Sequence, residues 1–547
     1  MVHTLPSEEI SADVLVIGGG AAGLTAALEA RRSGLDVVIL SKSRVGRSGN
    51  TIISGTGMAI LDTGPDSKDS QEAFKNDTLR SGKEINDPAL VDHYLKLSPK
   101  IIDKLVGHGV VLKQLNDVLM RRQTPGHSIP RSFAADISKY PYMTRGLSLT
   151  LPLLKSAGQA GVRIIDFVPV VKLLTTDGRI SGAVALNKKT HAVLVIRTPV
   201  VILASGGCGG IYARSNNTGD ITGDSYSLAY DAGARLKDME FVQFYPSMMF
   251  SPLKVTISSP LFGDGAILRN ANNERFMEKY DPAGNMATRD IMSRSIFNEV
   301  TAGRGHQGCI FMDCRKIPET VLTTKYGELL RLLAKANLNP LKDLIPISPA
   351  VHFSMGGVAI DNRTQSSVPG LLACGEAVGG LHGANRLAGN ALPETFVFGM
   401  TAGRQAVDLL KTRARPAPVR FDLARFRPGN LSLAELRRDL RKITWNCLSI
   451  IRARESGQQA LAEIDRIADS LEDAGLESIH DLVSFYELNS MITTARLIVH
   501  GSLARKESRG SHFRSDYPKT DDENFKGSFI YRKEDGRLKM TFRPVSG

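Results

Sequence analysis

The stretch that most restricts what this chain can become is DVLVIGGGAAGLTAAL, residues 13–28, continuing as EARRSGLDVVIL to residue 40. Residues 13–17 read as a short buried strand. Gly18, Gly20 and Gly23 then stand at G-x-G-x-x-G spacing, a helical pattern runs to Gly34, and residues 37–40 form a second strand. This is the opening of a βαβ nucleotide-binding unit. Gly18 permits the tight turn, Gly20 lets backbone N–H groups approach a pyrophosphate, and Gly23 lets the helix pack on the strand, with the helix N-terminus facing the anion. A glycine-rich turn without a ligand would not require a strand before it and a helix and second strand on time behind it.

The end of the second strand narrows the ligand. A nicotinamide site usually places Asp or Glu there to accept from a ribose hydroxyl, whereas this chain has Ser41 and Lys42. The following RVGRSGNTIISGTG, residues 44–57, is rich in glycine and small hydroxyl residues, so backbone can lie close to a large planar group. A flavin dinucleotide fits better than a nicotinamide one.

At 547 residues, 42% of them hydrophobic, the chain is long enough for two to four domains. Its five cysteines, Cys208, Cys309, Cys314, Cys374 and Cys447, show no C-x-x-C, no C-x-x-C-H and no even framework. Iron–sulfur clusters, haem and structural disulfides therefore lack ligands within the sequence, and no metal site is expected; any further redox centre is expected on a partner. The first residues contain no apolar h-region or twin arginine, and no run of about 18 apolar residues occurs, so a cytoplasmic chain without a membrane span is expected. The net charge of +13 favours anionic substrates, an acidic partner or a lipid surface. The basic stretch 411–442 mixes prolines, acids and helix-period leucines without aromatic interleaving, which reads as linker and solvated helix face, not nucleic-acid surface.

Further along, residues 71–109 read as helices, with Asn86 to Pro88 as a cap-like start, and GHSIPR at 126–131 as a loop carrying no chemistry by spacing. The segments VVKLLTT, RISGAVAL and AVLVIRT, divided by Asp177-Gly178 and a polar turn, predict a small antiparallel layer. VVILASGG ends a strand on Ala204, Ser205, Gly206 and Gly207, where backbone can lie against a cofactor or simply turn. The dinucleotide pattern stops near 238 and resumes at VHFSMGGVAI, so the expected organisation is 1–237 and 352–412 as one domain, 238–351 inserted into it, and 413–547 as a C-terminal domain with heptad-like leucines. A site is expected at the junction of the insertion.

The opening run with Ser41-Lys42, ASGG, TGD, DMEFVQF, NERFMEKY, ATRD, HFSMGG, GEAVGGLHGANRLAGNAL and ARKESRGSHFRSDYP together resemble the flavoprotein subunits of succinate dehydrogenases and fumarate reductases, with L-aspartate oxidases as close relatives. The likeness runs through nearly the whole chain in order. It implies an α/β fold: a Rossmann-like FAD-binding domain, an inserted α+β capping domain and a C-terminal helical domain. It also implies that Gly18, Gly20, Gly23, Ser41 and Lys42 bind the adenine half of FAD, that Ser48, Thr51, Ala391 and Leu392 lie near the flavin with Ala204, Gly206 and Gly207 behind it, and that Asp224 and Glu376 hold polar parts of the cofactor. Arg289, His352 and Arg386 would converge on a carboxylate-bearing substrate, Arg289 passing the proton that complements a hydride. An arginine is a poor acid, so that role calls for a relay. His382 is equally a structural histidine or a substrate-side one. The expected partners that follow are a peripheral place in a membrane complex and, for electron transfer, an iron–sulfur subunit.

Three departures from the family pattern bear on function. The flavin-linking histidine of R-S-H-T is absent from Arg47, Ser48, Gly49, Asn50 and Thr51, so FAD is expected to be noncovalent. The histidine of QFHPT is Tyr245, and the Thr-Glu pair that follows aligns with Ser258 and Ser259, so the grip on the far end of a dicarboxylate is changed. NSL has become Asn390, Ala391 and Leu392. The expected reaction is oxidoreduction of a CH–CH or C=C bond in a carboxylate whose far end is apolar, aromatic or hydrogen-bonding. The alternatives are an L-aspartate oxidase-like amino-acid oxidase and a flavin-binding scaffold without turnover.

Overall fold

The computed structural model describes residues 5–64, 67–116, 118–257, 260–412, 416–417 and 421–545. The glycine run folds as its spacing predicts: a buried strand Val14–Ile17, a helix Ala21–Arg31 and a second strand Val37–Ser41. These lie at the centre of a five-stranded parallel sheet in the order Leu371–Ala373, Val200–Leu203, Val14–Ile17, Val37–Ser41, Arg163–Asp166. A parallel sheet needs both faces covered, and alternation along each strand divides its side chains between two cores. Val14, Val16, Val200 and Ile202 pack with the helices Ala21–Arg31 and Ala391–Leu410. Leu15, Ile17, Val201 and Leu203 pack against a second sheet.

That second sheet is the predicted antiparallel layer. Strands Val170–Thr176 and Arg179–Leu186 turn through Asp177 and Gly178, both at positive φ, and pair onward with Val193–Arg197. Ser7–Ser11 adds a parallel edge strand, which the polar sequence SEEIS does not announce. The predicted helix start at 86–88 is real: the Asp87 side chain accepts from the backbone N–H of Ala89 and Leu90, with Pro88 at the first helical position.

Between the two parts of this α/β body lies a separate sheet with its own core around Met249, Leu268, Phe276, Ile296 and Ile347. Its strand Val242–Met249 leads away from the body and its strand Ile345–Ser354 returns antiparallel beside it. The expected break at 351 falls inside that returning strand. The small residues of the resuming pattern begin there, but the ladder continues through His352, so this histidine stands where the insertion rejoins the body.

The helices Leu433–Leu448, Arg454–Glu472 and Ile479–Ala504 share one core with Tyr212, Tyr226 and Val242. The end of the basic stretch, 433–442, lies in the first of these helices and 421–432 is non-helical, while residues 413–415 and 418–420 lie outside the described residues. The chain then forms a hairpin, Gly527–Glu534 with Arg537–Pro544, that pairs with Leu236–Lys237 immediately before the insertion. No helix among the described residues is long and apolar enough to cross a membrane.

Candidate active site

A continuous cavity of about 1010 Å³ runs from the glycine turn to the inserted sheet. Its size is at the upper end for ligand pockets, room for a large cofactor and a small substrate together.

At the turn, Gly18 has φ +115° and a Cβ there would meet the Ala204 carbonyl oxygen at 2.3 Å. A Cβ at Gly23 would meet the Gly18 carbonyl oxygen at 2.0 Å, so this residue fits helix to strand and does not line the cavity. The helix starts after Gly20 with no side-chain cap; Thr51 Oγ1 accepts from Ala21 N at 3.2 Å, and Gly19, Gly20, Ala21 and Ala22 line the cavity. An uncapped helix N-terminus open to a cavity suits a pyrophosphate.

Ser41 and Lys42 line the same end. Lys42 Nζ lies 2.7 Å from Asp224 and 3.0 Å from Glu487 of the long C-terminal helix, and donates to Thr222 at 2.5 Å. Burial pulls Lys42 down, but the two carboxylates outweigh it and leave it raised. Asp224 therefore lines the cavity while neutralising Lys42.

The middle is lined by Ser48, Thr51, Ala204, Gly206, Glu376, Ala391 and Leu392. Glu376 accepts from Asn50 Nδ2 at 3.0 Å and Ser354 N at 3.2 Å, and burial pushes its carboxyl up to about 7. Gly207 is one layer back, where a Cβ would meet Glu376 Oε1 at 2.4 Å. Its smallness seats the glutamate.

The far end joins both bodies. Arg289 opens the helix Arg289–Glu299, Tyr245 sits on Val242–Met249 and His352 on the neighbouring strand. The Arg289 Cζ lies 5.1 Å from the Tyr245 ring centroid, and the Tyr245 and His352 rings are 5.4 Å apart at 53°. The Tyr245 hydroxyl donates to the Ile257 carbonyl at 3.1 Å. The Asn216 side chain meets His352 Nδ1 at 3.1 Å, and burial, then Arg386 and Arg289, hold His352 well below its usual value, so it is neutral at pH 7. Arg386, 6% exposed, donates to Gln243 Oε1 at 2.8 Å and lies 4.6 Å over the Phe353 ring. Burial and the nearby Arg289 lower Arg386 to about 10. Neither Arg289 Nε nor Arg386 Nε has a hydrogen-bond partner among the described residues. Two neighbouring guanidiniums with free donors beside a neutral imidazole make a place for an anion.

Other expected positions differ. His382 does not line the cavity: it bonds Glu394 Oε2 at 2.9 Å, is 2% exposed, and packs edge-on behind Phe353. This corrects the substrate-side reading; its place in the glycine-rich run said nothing of the acid waiting one helical turn into Ala391–Leu410. Ser258 and Ser259 lie outside the described residues, while their neighbours Thr256 and Pro260 line the cavity. The loop 126–131, whose spacing alone points to no chemistry, is tied to the site by structural contacts. Arg131, fully buried, pairs with Asp69 and Asp77 at 2.7 Å each and meets His127 Nδ1 at 2.8 Å, and the other His127 nitrogen meets the Ala388 carbonyl at 2.6 Å, two residues from Arg386. Arg145 also lines the cavity unannounced, since one arginine before a helix has no periodicity to mark it.

A family model described as FAD binding domain matches residues 13–392, and one described as fumarate reductase flavoprotein C-term matches residues 437–547. One subunit of the CoM/CoB fumarate reductase of Methanothermobacter marburgensis is 34% identical over 545 residues, covering 97% of this chain and 98% of that one. The fumarate reductase flavoprotein subunit of Mycobacterium tuberculosis is 30% identical, covering 98% and 97%. Among solved structures, a quinol fumarate reductase chain of E. coli superposes with a TM-score of 0.89 at 27% identity, covering 98% of this chain and 97% of that one. The Sdh1 chain of Mycobacterium smegmatis gives 0.89 at 29%, covering 99% and 95%.

Proposed function

Since the chain belongs to the succinate dehydrogenase and fumarate reductase flavoprotein family of FAD-dependent oxidoreductases, we propose that it moves a hydride between a noncovalently held FAD and the carbon–carbon bond beside a substrate carboxylate. The observation that carries this is the pair Arg289 and Arg386, with unpartnered Nε atoms, beside neutral His352 in the cavity that begins at the glycine turn.

FAD, when bound, supplies the two-electron carrier. Arg386 and Arg289 hold the carboxylate in forked hydrogen bonds and stabilise charge that builds on it as the adjacent carbon reacts. His352, kept neutral, can donate from one ring nitrogen while Asn216 orients the other. Arg289 would pass the complementary proton and regain it from solvent through the relay that so weak an acid requires. Phe353 under Arg386 and Tyr245 against Arg289 help to hold both guanidiniums, while their Nε donors stay available to substrate. His352 is the one histidine among the described lining residues, and it stands at the substrate end, which supports noncovalent binding of the flavin.

Tyr245, Phe262, Met286 and Met292 line the cavity from the insertion, which suits an acid with an apolar body. Each lost charged contact is worth about 1.5–3 kcal/mol, so fumarate should be a poor substrate beside enoic acids with larger apolar bodies. Electrons are proposed to come from a separate iron–sulfur protein, in keeping with cysteines that show no cluster spacing. Two measurements test the reading. Acid precipitation should release the yellow colour into the supernatant; colour kept in the washed pellet rejects noncovalent binding. A panel of unsaturated acids with reduced viologen as donor should rank fumarate low, and Tyr245→His should raise it; a wide preference of the wild type for fumarate removes Tyr245 as a determinant.

A further inference from the structure

The proposed reaction accounts for Arg289 and Arg386 but not for the two other arginines that line the cavity, both from the opposite body: Arg122, which is exposed, and Arg145, which is half-buried. The Arg145 backbone is fixed beside the segment that reaches the cofactor region. Gly146 N donates to the Ile52 carbonyl at 2.9 Å, and a Cβ on Gly146 would come within 1.8 Å of the Thr51 carbonyl oxygen. The side chain is half-buried. Its Nε donates to the Ser54 carbonyl at 3.3 Å, and its guanidinium lies over Tyr142 with Cζ 4.3 Å from the ring centroid. It forms no ion pair with an Asp or Glu among the described residues.

Tyr142 links this arginine to the substrate end. Its hydroxyl donates to the Thr256 carbonyl at 3.0 Å, and the Tyr245 hydroxyl donates to the next carbonyl along, Ile257. Burial pushes the Tyr142 hydroxyl up, Arg145 pulls it back and the Tyr245 phenol adds to the rise, so both neighbours are within electrostatic reach of it. The cavity wall thus presents two guanidiniums, each close to a phenol ring: Arg145 by Tyr142 and Arg289 by Tyr245. A guanidinium carries five N–H donors, so Arg145 can bond Ser54 and still offer others to a planar oxyanion. Its cost of desolvation is offset when an anion arrives.

We propose that Arg145 forms a second anion subsite, which recognises a carboxylate at the far end of the substrate, beyond the apolar body that Tyr245, Phe262 and Met292 surround. This rests on the carboxylate-clamp reading of Arg289 and Arg386 and specifies the substrate class: an unsaturated diacid whose second carboxylate is displaced from the reacting bond by an apolar spacer.

The test is equilibrium binding to the FAD-loaded protein, read by perturbation of the flavin absorbance, for two matched pairs: cinnamate with para-carboxycinnamate, and crotonate with glutaconate. Wild type should bind at least one diacid roughly ten- to hundred-fold more tightly than its monoacid partner, the range of one charged hydrogen-bonded contact. Arg145→Gln should collapse that ratio towards one, and Arg145→Lys should restore part of it. Loss of FAD from Arg145→Gln, or equal weakening of both members of a pair, makes Arg145 a cofactor or scaffold residue and overturns the proposal. So does a wild type without preference. Arg289→Lys separates the two readings: it should weaken mono- and diacids alike, and if it weakens neither, the carboxylate clamp itself is wrong whatever Arg145 does.

Discussion

Arg289 and Glu376 show how burial sets what single residues do here. Arg289 lies close over Tyr245 and lines the cavity with a forked set of donors, which lysine matches in charge but not in shape. Arg289→Lys should fold, retain FAD and lower kcat about a hundredfold or more, the scale of removing one preorganised transition-state donor; near-normal kcat at saturating substrate would move that role elsewhere. Glu376 makes the opposite use of burial. Its folded-state pKa is raised from 4.5 to about 7, so the folded form binds more protons than the unfolded form between those values. Its contribution to stability is therefore full below about 4.5 and is lost as pH rises through about 7, a loss of up to ~3 kcal/mol. Urea unfolding of the FAD-free protein should show this decline between pH 5 and 8, and Glu376→Gln should flatten it. Asp238, also raised by burial to about 7, leaves a remainder in both proteins. A variant with the same slope as wild type would clear Glu376 of the effect.

At the level of elements, the glycine helix was legible because its chemistry is local: only residues without a Cβ fit at Gly18 and Gly23, and the strand periodicity around them has one reading. Gly23→Ala should push helix Ala21–Arg31 off its strand, since the Cβ would stand 2.0 Å from a carbonyl oxygen. We expect FAD-free, thermally weakened protein, checked by the flavin-to-protein absorbance ratio. The approach of Arg289, His352 and Arg386 was legible only through the family resemblance, because residues this far apart in sequence leave no spacing to read. Other contacts had no signal of either kind. Lys42 is expected from the resemblance at the adenine half of FAD, yet its carboxylate partner Glu487 belongs to the helix Ile479–Ala504. The four-residue tie of Lys42, Asp224, Glu487 and Arg437 fastens that helix to the cofactor end. Lys42→Met should destabilise the protein by about 3 kcal/mol, since Asp224 loses its ion pair while Glu487 keeps Arg437, and should loosen FAD as well; a denaturation midpoint within error of wild type would refute the tie. The loop 126–131 was unreadable for a related reason: Arg131 draws its partners Asp69 and Asp77 from an earlier loop and helix.

Across the whole molecule, the inserted sheet and the α/β body meet at a seam that the C-terminal hairpin reinforces. The Tyr531 hydroxyl donates to Glu240 at 2.7 Å, and Arg505 pairs with the other oxygen of that carboxylate at 2.8 Å, all three side chains fully buried. This pins the backbone between Leu236–Lys237 and Val242–Met249, the segment on which the insertion would swing. The seam has a further consequence in the order of synthesis. Leu236 pairs with Tyr531, roughly 300 residues further along the chain, and domains generally form as their residues leave the ribosome. The glycine turn and its first parallel strands can dock early, whereas the segment leading into the insertion pairs on one side with Gly357–Ala359 and gains its second neighbour only near the end of translation. The hairpin thus supplies the last strands added to this sheet, and we expect FAD to enter the cradle before the seam is completed.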